Sequence, residues 1–203
     1  MLEWFEEFWA YVVALVVIFF ITMFICKKAL LAYTAHKTNF KNEEEEIKRL
    51  VGLKEKYQDL TQDVILNADD GELLEGVALS YQIKLQKSTE QEQDFANLPK
   101  EVQLIYVLDV FVQDEKEREF FGENGDVLKN LICEAFELIG EDSLAEKTKK
   151  IVEMYDVSQE DVSFDEKKTT EFYDYLEKHN ICEQIKFKSS RFIKENSEKF
   201  LNT

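Results

Sequence analysis

The chain has 203 residues, 45 % of them apolar, with 42 Asp and Glu against 25 Lys and Arg for a formal charge of −17. That apolar content argues against a disordered chain, and the length suits one domain with a real core. The acid excess disfavours direct binding of DNA, RNA or anionic lipid headgroups and favours basic partners.

Residues 8–26, FWAYVVALVVIFFITMFIC, carry no charge. As a helix they would be roughly 28 Å long at ~1.5 Å per residue, close to the thickness of a bilayer's hydrocarbon core. Glu3, Glu6 and Glu7 precede the run and Lys27 and Lys28 follow it, whereas a cleaved signal peptide needs a positive start, a shorter apolar stretch and a small-residue cleavage site. The sequence therefore predicts a transmembrane anchor over residues 1–28, spanning at 8–26. Lys27, Lys28, Lys37 and Lys41 all lie after the span, which places the N-terminus outside and the C-terminal domain in the cytoplasm. Trp4, Trp9 and Tyr11 are expected at the outer interface and Tyr33 at the inner one. Ala10 and Ala14 have a small-xxx-small spacing that would let two such helices pair as a homodimer, with lipid-facing filler as the alternative. Residues 1–26 hold three Glu and no Lys or Arg, so of the charge of −17 the remaining 177 residues carry −14.

Residues 29–68 read as a juxtamembrane segment and connector. Glu43 to Glu46 favour the first turn of a helix. Ile47, Leu50, Lys54, Tyr57, Thr61 and Val64 then recur at steps of three and four, a narrow seam for one loosely packed connector helix. An acidic helical domain is expected over 69–203. Asn67 to Gly71 form a turn and cap cluster before a helix marked by Leu73, Leu74, Val77, Ala78, Tyr81 and Leu85. After a polar stretch, Gln86 to Asn97, Pro99 belongs in the first turn of a helix that Val102, Ile105, Leu108 and Val112 make the most buried of all. A charged run, Asp114 to Glu119, leads to the turn Phe120-Phe121-Gly122-Glu123-Asn124-Gly125. Leu128, Leu131, Ile132, Ala135, Phe136 and Ile139 follow helical spacing without a miss, and Gly140 stands where a left-handed cap would end that helix. Ser143 and Glu146 make a capping-box pattern for the next, with Leu144, Thr148, Ile151, Val152 and Tyr155 inward. Two further helices carry Phe172, Tyr173, Tyr175, Leu176 and Phe187, Phe192, Ile193, Phe200. Sustained period-two alternation is absent, so the fold class is all-α: the N-terminal transmembrane helix and a compact domain of about six or seven helices.

The dispersed glycines allow neither a phosphate-cradling loop nor a dinucleotide fingerprint. Only His36 and His179 are present, and Cys26, Cys133 and Cys182 match no zinc or redox spacing. The acidic stretch at Asp156, Ser158, Glu160 and Asp161 lacks the glycine and glutamate of a calcium loop, with Asp161 and Lys167 in their places. No catalytic, cofactor or metal residue is assigned, and the chain is expected to be non-enzymatic. Opposite the apolar stripe stand Glu123, Asp126, Glu134 and Glu137, followed by Glu141 and Asp142. Carboxylates on a rigid helix can repeat the spacing of phosphates and pair with a partner's Lys and Arg. An ordinary solvated face is the alternative.

Several short motifs occur together in order: Leu98-Pro99 and the apolar helix after it, Phe120-Phe121-x-x-Asn124-Gly125, the amphipathic helix ending Ile139-Gly140, Glu171-Phe172-Tyr173, and Phe192 to Phe200. Over roughly residues 72–201 they resemble the C-terminal domain of the bacterial DNA-mimic protein family. The family's Asn-Gly-Gly-Phe-x-Gln-Phe-Phe run falls on Asp114 to Phe121, where only the Phe pair is kept. The resemblance implies an all-helical fold with structural roles for Pro99, Phe120, Phe121, Asn124, Gly125, Gly140, Phe172 and Tyr173. It also implies DNA-like negative charge presented to a DNA-binding regulator. The expected function is thus a membrane-anchored cytoplasmic interaction domain that sequesters a basic or DNA-binding protein without touching nucleic acid itself. The alternative is an immunity-like or stress-defence protein that neutralises a toxin at the membrane.

Overall fold

The computed structural model describes residues 44–114, 118, 120–123, 126–154 and 166–201, and every regular element among them is helical. Contacts divide the chain into Met1–Gly52 and Leu53–Thr203. In the first unit, residues 44–52 lie in helix α1 (44–57), where Lys48 pairs with Glu44 at 2.6 Å and Arg49 with Glu46 at 2.7 Å.

The second unit takes in the last turn of α1, then α2 (Gln62–Leu66), α3 (Leu73–Gln86), α4 (Gln91–Asn97) and α5 (Lys100–Gln113). After these come α6 (Phe120–Glu123), α7 (Asp126–Leu138), α8 (Asp142–Met154), α9 (Glu166–Lys178), α10 (Ile181–Glu195) and a 3-10 turn, Ser197–Phe200. Helix α5 is the hub: it packs on α3, α7, α10 and the 3-10 turn, while α7 lies against α8 and α10 against α9. Its Val102, Leu104, Ile105, Val107, Leu108, Phe111 and Val112 are buried, as its near-continuous apolar sequence requires. Pro99 is the N-cap of α5, with φ −50° and ψ 141°, one residue before the first turn expected for it. The Gln103 side chain closes that entry by donating to the carbonyls of Ala96 at 3.1 Å and Leu98 at 2.8 Å.

The connector differs from its sequence reading. The seam from Ile47 to Val64 is not one helix, because Thr61 leaves helical geometry at ψ 160° and its hydroxyl accepts from the Val64 N–H at 3.3 Å as an N-cap. Nor does it pack loosely, since Leu53, Tyr57, Leu60 and Ile65 are all buried. Gly76 makes this possible: a Cβ there would sit 2.5 Å from a Tyr57 ring carbon, so only glycine admits the ring. The polar stretch after α3 also holds a helix, α4, fixed by one buried side chain, Phe95. Short helices such as α2, α4 and α6 take the element number beyond six or seven.

Helix α7 matches its periodicity, burying Ile132, Ala135, Phe136 and Ile139. It ends in a Schellman turn, in which Gly140 has φ +74°. Its N–H bonds the Glu137 carbonyl at 3.0 Å, and the Glu141 N–H bonds Phe136 at 2.8 Å. This turn delivers the chain straight into α8, so Ser143 is inside the helix rather than its cap. The N–H groups of Leu144 and Ala145 both bond the Glu141 carbonyl at 2.9 Å.

The membrane expectation requires correction. Among the described residues no helix is long and apolar enough to cross a membrane. The longest delimited helix, α10, has 15 residues, about 22 Å against the roughly 30 Å a span needs, and it carries six charged side chains from Glu183 to Glu195. Most apolar side chains from Leu53 onward serve a shared helical core instead. The single-pass anchor, its orientation and the cell-membrane location rested on residues 8–26, which lie outside the described residues, as do Ala10 and Ala14.

Candidate functional site

Four of the residues that carry the resemblance, Phe120, Phe121, Phe172 and Tyr173, converge below the surface. Phe111 of α5 is met edge-on by Phe120 and Phe136, each with centroids 5.2 Å away, by Phe121 at 6.3 Å and by Phe172 at 6.5 Å. Tyr173 adds a ring 6.2 Å from Phe121. Such edge-to-face pairs add to simple burial. Asp114, at the end of α5, accepts from the Tyr173 hydroxyl at 3.3 Å and from the Phe120 N–H. Arg118, at φ +60°, donates to Asp174 at 2.9 Å and Glu177 at 3.0 Å and lies over the Tyr173 ring. This assembly joins α5, α6 and α9 through aromatic packing and satisfied charge, so Phe120, Phe121, Phe172 and Tyr173 act as core. Asn124 and Gly125 lie outside the described residues.

The predicted carboxylate row is brought together only in part. Glu134 and Glu137 stand exposed on α7, and Glu141 and Asp142 flank the Gly140 corner. Lys100 reaches Glu134 at 2.7 Å and Lys188 reaches Glu141 at 2.8 Å, so half of this group of four is already neutralised. Glu137 and Asp142 make no ion pair among the described residues. Glu123 and Asp126 fall in α6 and α7, with their side chains outside what the structure describes. Cys133, half-buried behind this face, has its thiol pushed up by burial and then by Glu137. That keeps it protonated and weakly nucleophilic at neutral pH.

Between α3, α4, α5 and the first turn of α7 lies an open groove of about 380 Å³. Leu85, Phe95, Tyr106, Val127 and Leu128 make its apolar surface, and Gln82, Gln86, Gln91 and Glu92 its polar rim. Phe95 and Tyr106 stack at 5.5 Å. Burial, then the charge of Asp109, pushes the Tyr106 phenol up, so it stays a neutral hydrogen-bonding group. Val127 is 56 % exposed, an apolar side chain on the groove edge with no core role. Sequence reasoning missed this groove, because Leu85 and Tyr106 follow the same spacing as the core positions around them. Exposed Glu90, Glu92 and Asp94 add negative charge along α4, and no Lys or Arg among the described residues lines the groove.

Among the described residues no three or more His, Cys, Asp or Glu side chains are grouped to hold a metal ion. His179 stacks on Tyr175 at 4.7 Å, and Lys147 covers the same ring at 3.6 Å. Comparison with protein-family models, with curated proteins and with solved structures finds no match.

Proposed function

We propose that this chain is a non-catalytic protein-interaction module that holds a basic protein against its acidic helical surface. The observation that carries this reading is the pair Glu137 and Asp142, exposed and without ion pairs among the described residues, on either side of the Gly140 corner. Packed helices hold the backbone positions of these carboxylates at a set spacing, and a strongly acidic body steers Lys- and Arg-rich partners in. The resemblance to the DNA-mimic family supports the same reading, with a DNA-binding regulator as the partner class. The ion pairs of Glu134 and Glu141 narrow the surface, since those carboxylates can engage a partner only by releasing Lys100 and Lys188.

The test is binding of the full chain to a lysine- and arginine-rich, DNA-binding protein immobilised on a sensor, read as a function of salt. The expected result is an affinity that falls steeply as salt rises, and a Glu137→Lys, Asp142→Lys variant about tenfold weaker, or roughly 1.4 kcal/mol. Binding that ignores both salt and these substitutions would overturn the reading.

A further inference from the structure

We infer that the groove between α3, α4, α5 and α7 is a docking site for one basic amphipathic helix of a partner protein. This inference rests on the reading of the chain as a binder of basic proteins and adds where the partner's apolar side chains go. Leu85, Phe95, Tyr106 and Leu128 contribute an apolar surface from four different helices, and Val127 stands 56 % exposed at its edge. A volume of about 380 Å³ is within the range of small binding pockets, roughly 300–1,000 Å³. That suits two or three apolar side chains projecting from one helix face.

Charge complementarity selects the occupant. Glu92 lies on the rim, Glu90 and Asp94 are exposed beside it, and no cation among the described residues lines the groove. An apolar helix face flanked by Lys and Arg would place its charges among these carboxylates while its side chains fill the floor. Recognition by strand addition needs a free sheet edge, and the described residues contain no strand. Helix-in-groove recognition, with anchors at i, i+3, i+4 and i+7, is the mode this surface can offer. The rim amides of Gln82, Gln86 and Gln91 are neutral donors and acceptors suited to the polar flanks of such a helix.

The probe is a labelled peptide of about 18 residues, five helical turns, with Leu at i, i+3, i+4 and i+7 and Lys on the flanks. It is titrated into the full chain by fluorescence anisotropy beside a scrambled peptide of identical composition. The amphipathic peptide is expected to bind about tenfold or more tightly than the scramble, and Val127→Glu to remove that preference. Because Val127 is exposed, this substitution leaves the core intact; thermal unfolding unchanged from the parent chain is the check. Glu92→Lys is the second variant and is expected to weaken the amphipathic peptide as well. Equal binding of both peptides, indifferent to Val127→Glu and Glu92→Lys, would overturn the groove while leaving the acidic-surface reading intact. Absence of binding by either peptide at low salt would overturn both. A dimer of the full chain that Val127→Glu converts to monomer would show a second copy as the occupant and also overturn the inference.

Discussion

Tyr57 and Gly76 fix one another. The Tyr57 ring is 1 % exposed and rests where a Gly76 side chain would be, and its hydroxyl donates to Glu72 at 3.1 Å. Alanine at an ordinary helical position would be favoured over glycine by about 1 kcal/mol. Here the clash dominates, because the obstacle is a buried ring rather than the end of a flexible chain. Gly76→Ala is expected to destabilise the fold by about 1–3 kcal/mol in urea unfolding, and much less in a Tyr57→Leu background, which a double-mutant cycle would read as coupling. A Gly76→Ala protein as stable as its parent would contradict this packing. Burial, followed by the charge of Glu72, also raises the Tyr57 phenol far above its ordinary value. A group whose folded value is raised contributes stability that is whole below its unfolded value and is lost as pH climbs. The chain should therefore lose stability above about pH 10, where unfolded tyrosines ionise. Tyr57→Phe should cost about 1 kcal/mol at pH 7 for the lost hydrogen bond yet lose stability less steeply with pH above that point. Parallel pH profiles for the two proteins would reject Tyr57 as a source of the alkaline limit.

Gly140 works by the opposite physics. A Cβ there meets nothing within 4 Å, but φ is +74°, so the cost of a side chain is conformational. Gly140→Ala is expected to lose about 1–2 kcal/mol and Gly140→Asn less, since asparagine tolerates the left-handed region; thermal unfolding of both variants would show the order. This cap and helix α7 were readable in the sequence because six apolar residues and the following glycine obey one period. Helices α2 and α4 were not, because a single buried anchor apiece, Ile65 and Phe95, cannot establish a period. The break at Thr61 was hidden because the seam of threes and fours runs through it unchanged. The carboxylates of α7 and the Gly140 corner were visible as a group, but the pairing of Glu134 with Lys100 and of Glu141 with Lys188 depends on α5 and α10 packing alongside, which no local pattern encodes. The groove was invisible for a related reason: whether Leu85 and Tyr106 cover one another or leave space between is settled by how four helices meet.

Across the unit Leu53–Thr203 the C-terminal helix closes the fold onto its beginning. Ser190 donates to the Asp70 carbonyl at 2.6 Å, Lys194 to the Ala68 carbonyl at 2.8 Å, Tyr81 to the Phe200 carbonyl at 3.2 Å, and Lys199 pairs with Glu101 at 2.7 Å. Lys199 with Glu101, and Lys194 with Asp70, set cations of the 3-10 turn and α10 against acids far away in sequence, which moderates local repulsion within a chain whose charge stays at −17. The moderation is incomplete, because exposed ion pairs are each worth little and a large net charge still repels itself. Folding and partner binding should consequently respond to salt with opposite signs. Raising ionic strength from about 0.01 M to 0.15 M shortens the screening length from roughly 30 Å to 8 Å. That relieves repulsion between carboxylates spread over the surface more than it weakens contact pairs below 4 Å. The melting temperature is expected to rise by a few degrees over that interval, about 1 kcal/mol for a unit of this size, while affinity for a basic partner falls. Differential scanning calorimetry and sensor binding at matched salt concentrations measure the two trends. If both fell together, local ion pairs rather than the collective charge would be what holds this surface. The acid excess would then be part of the fold's stability rather than a field held ready for a basic partner.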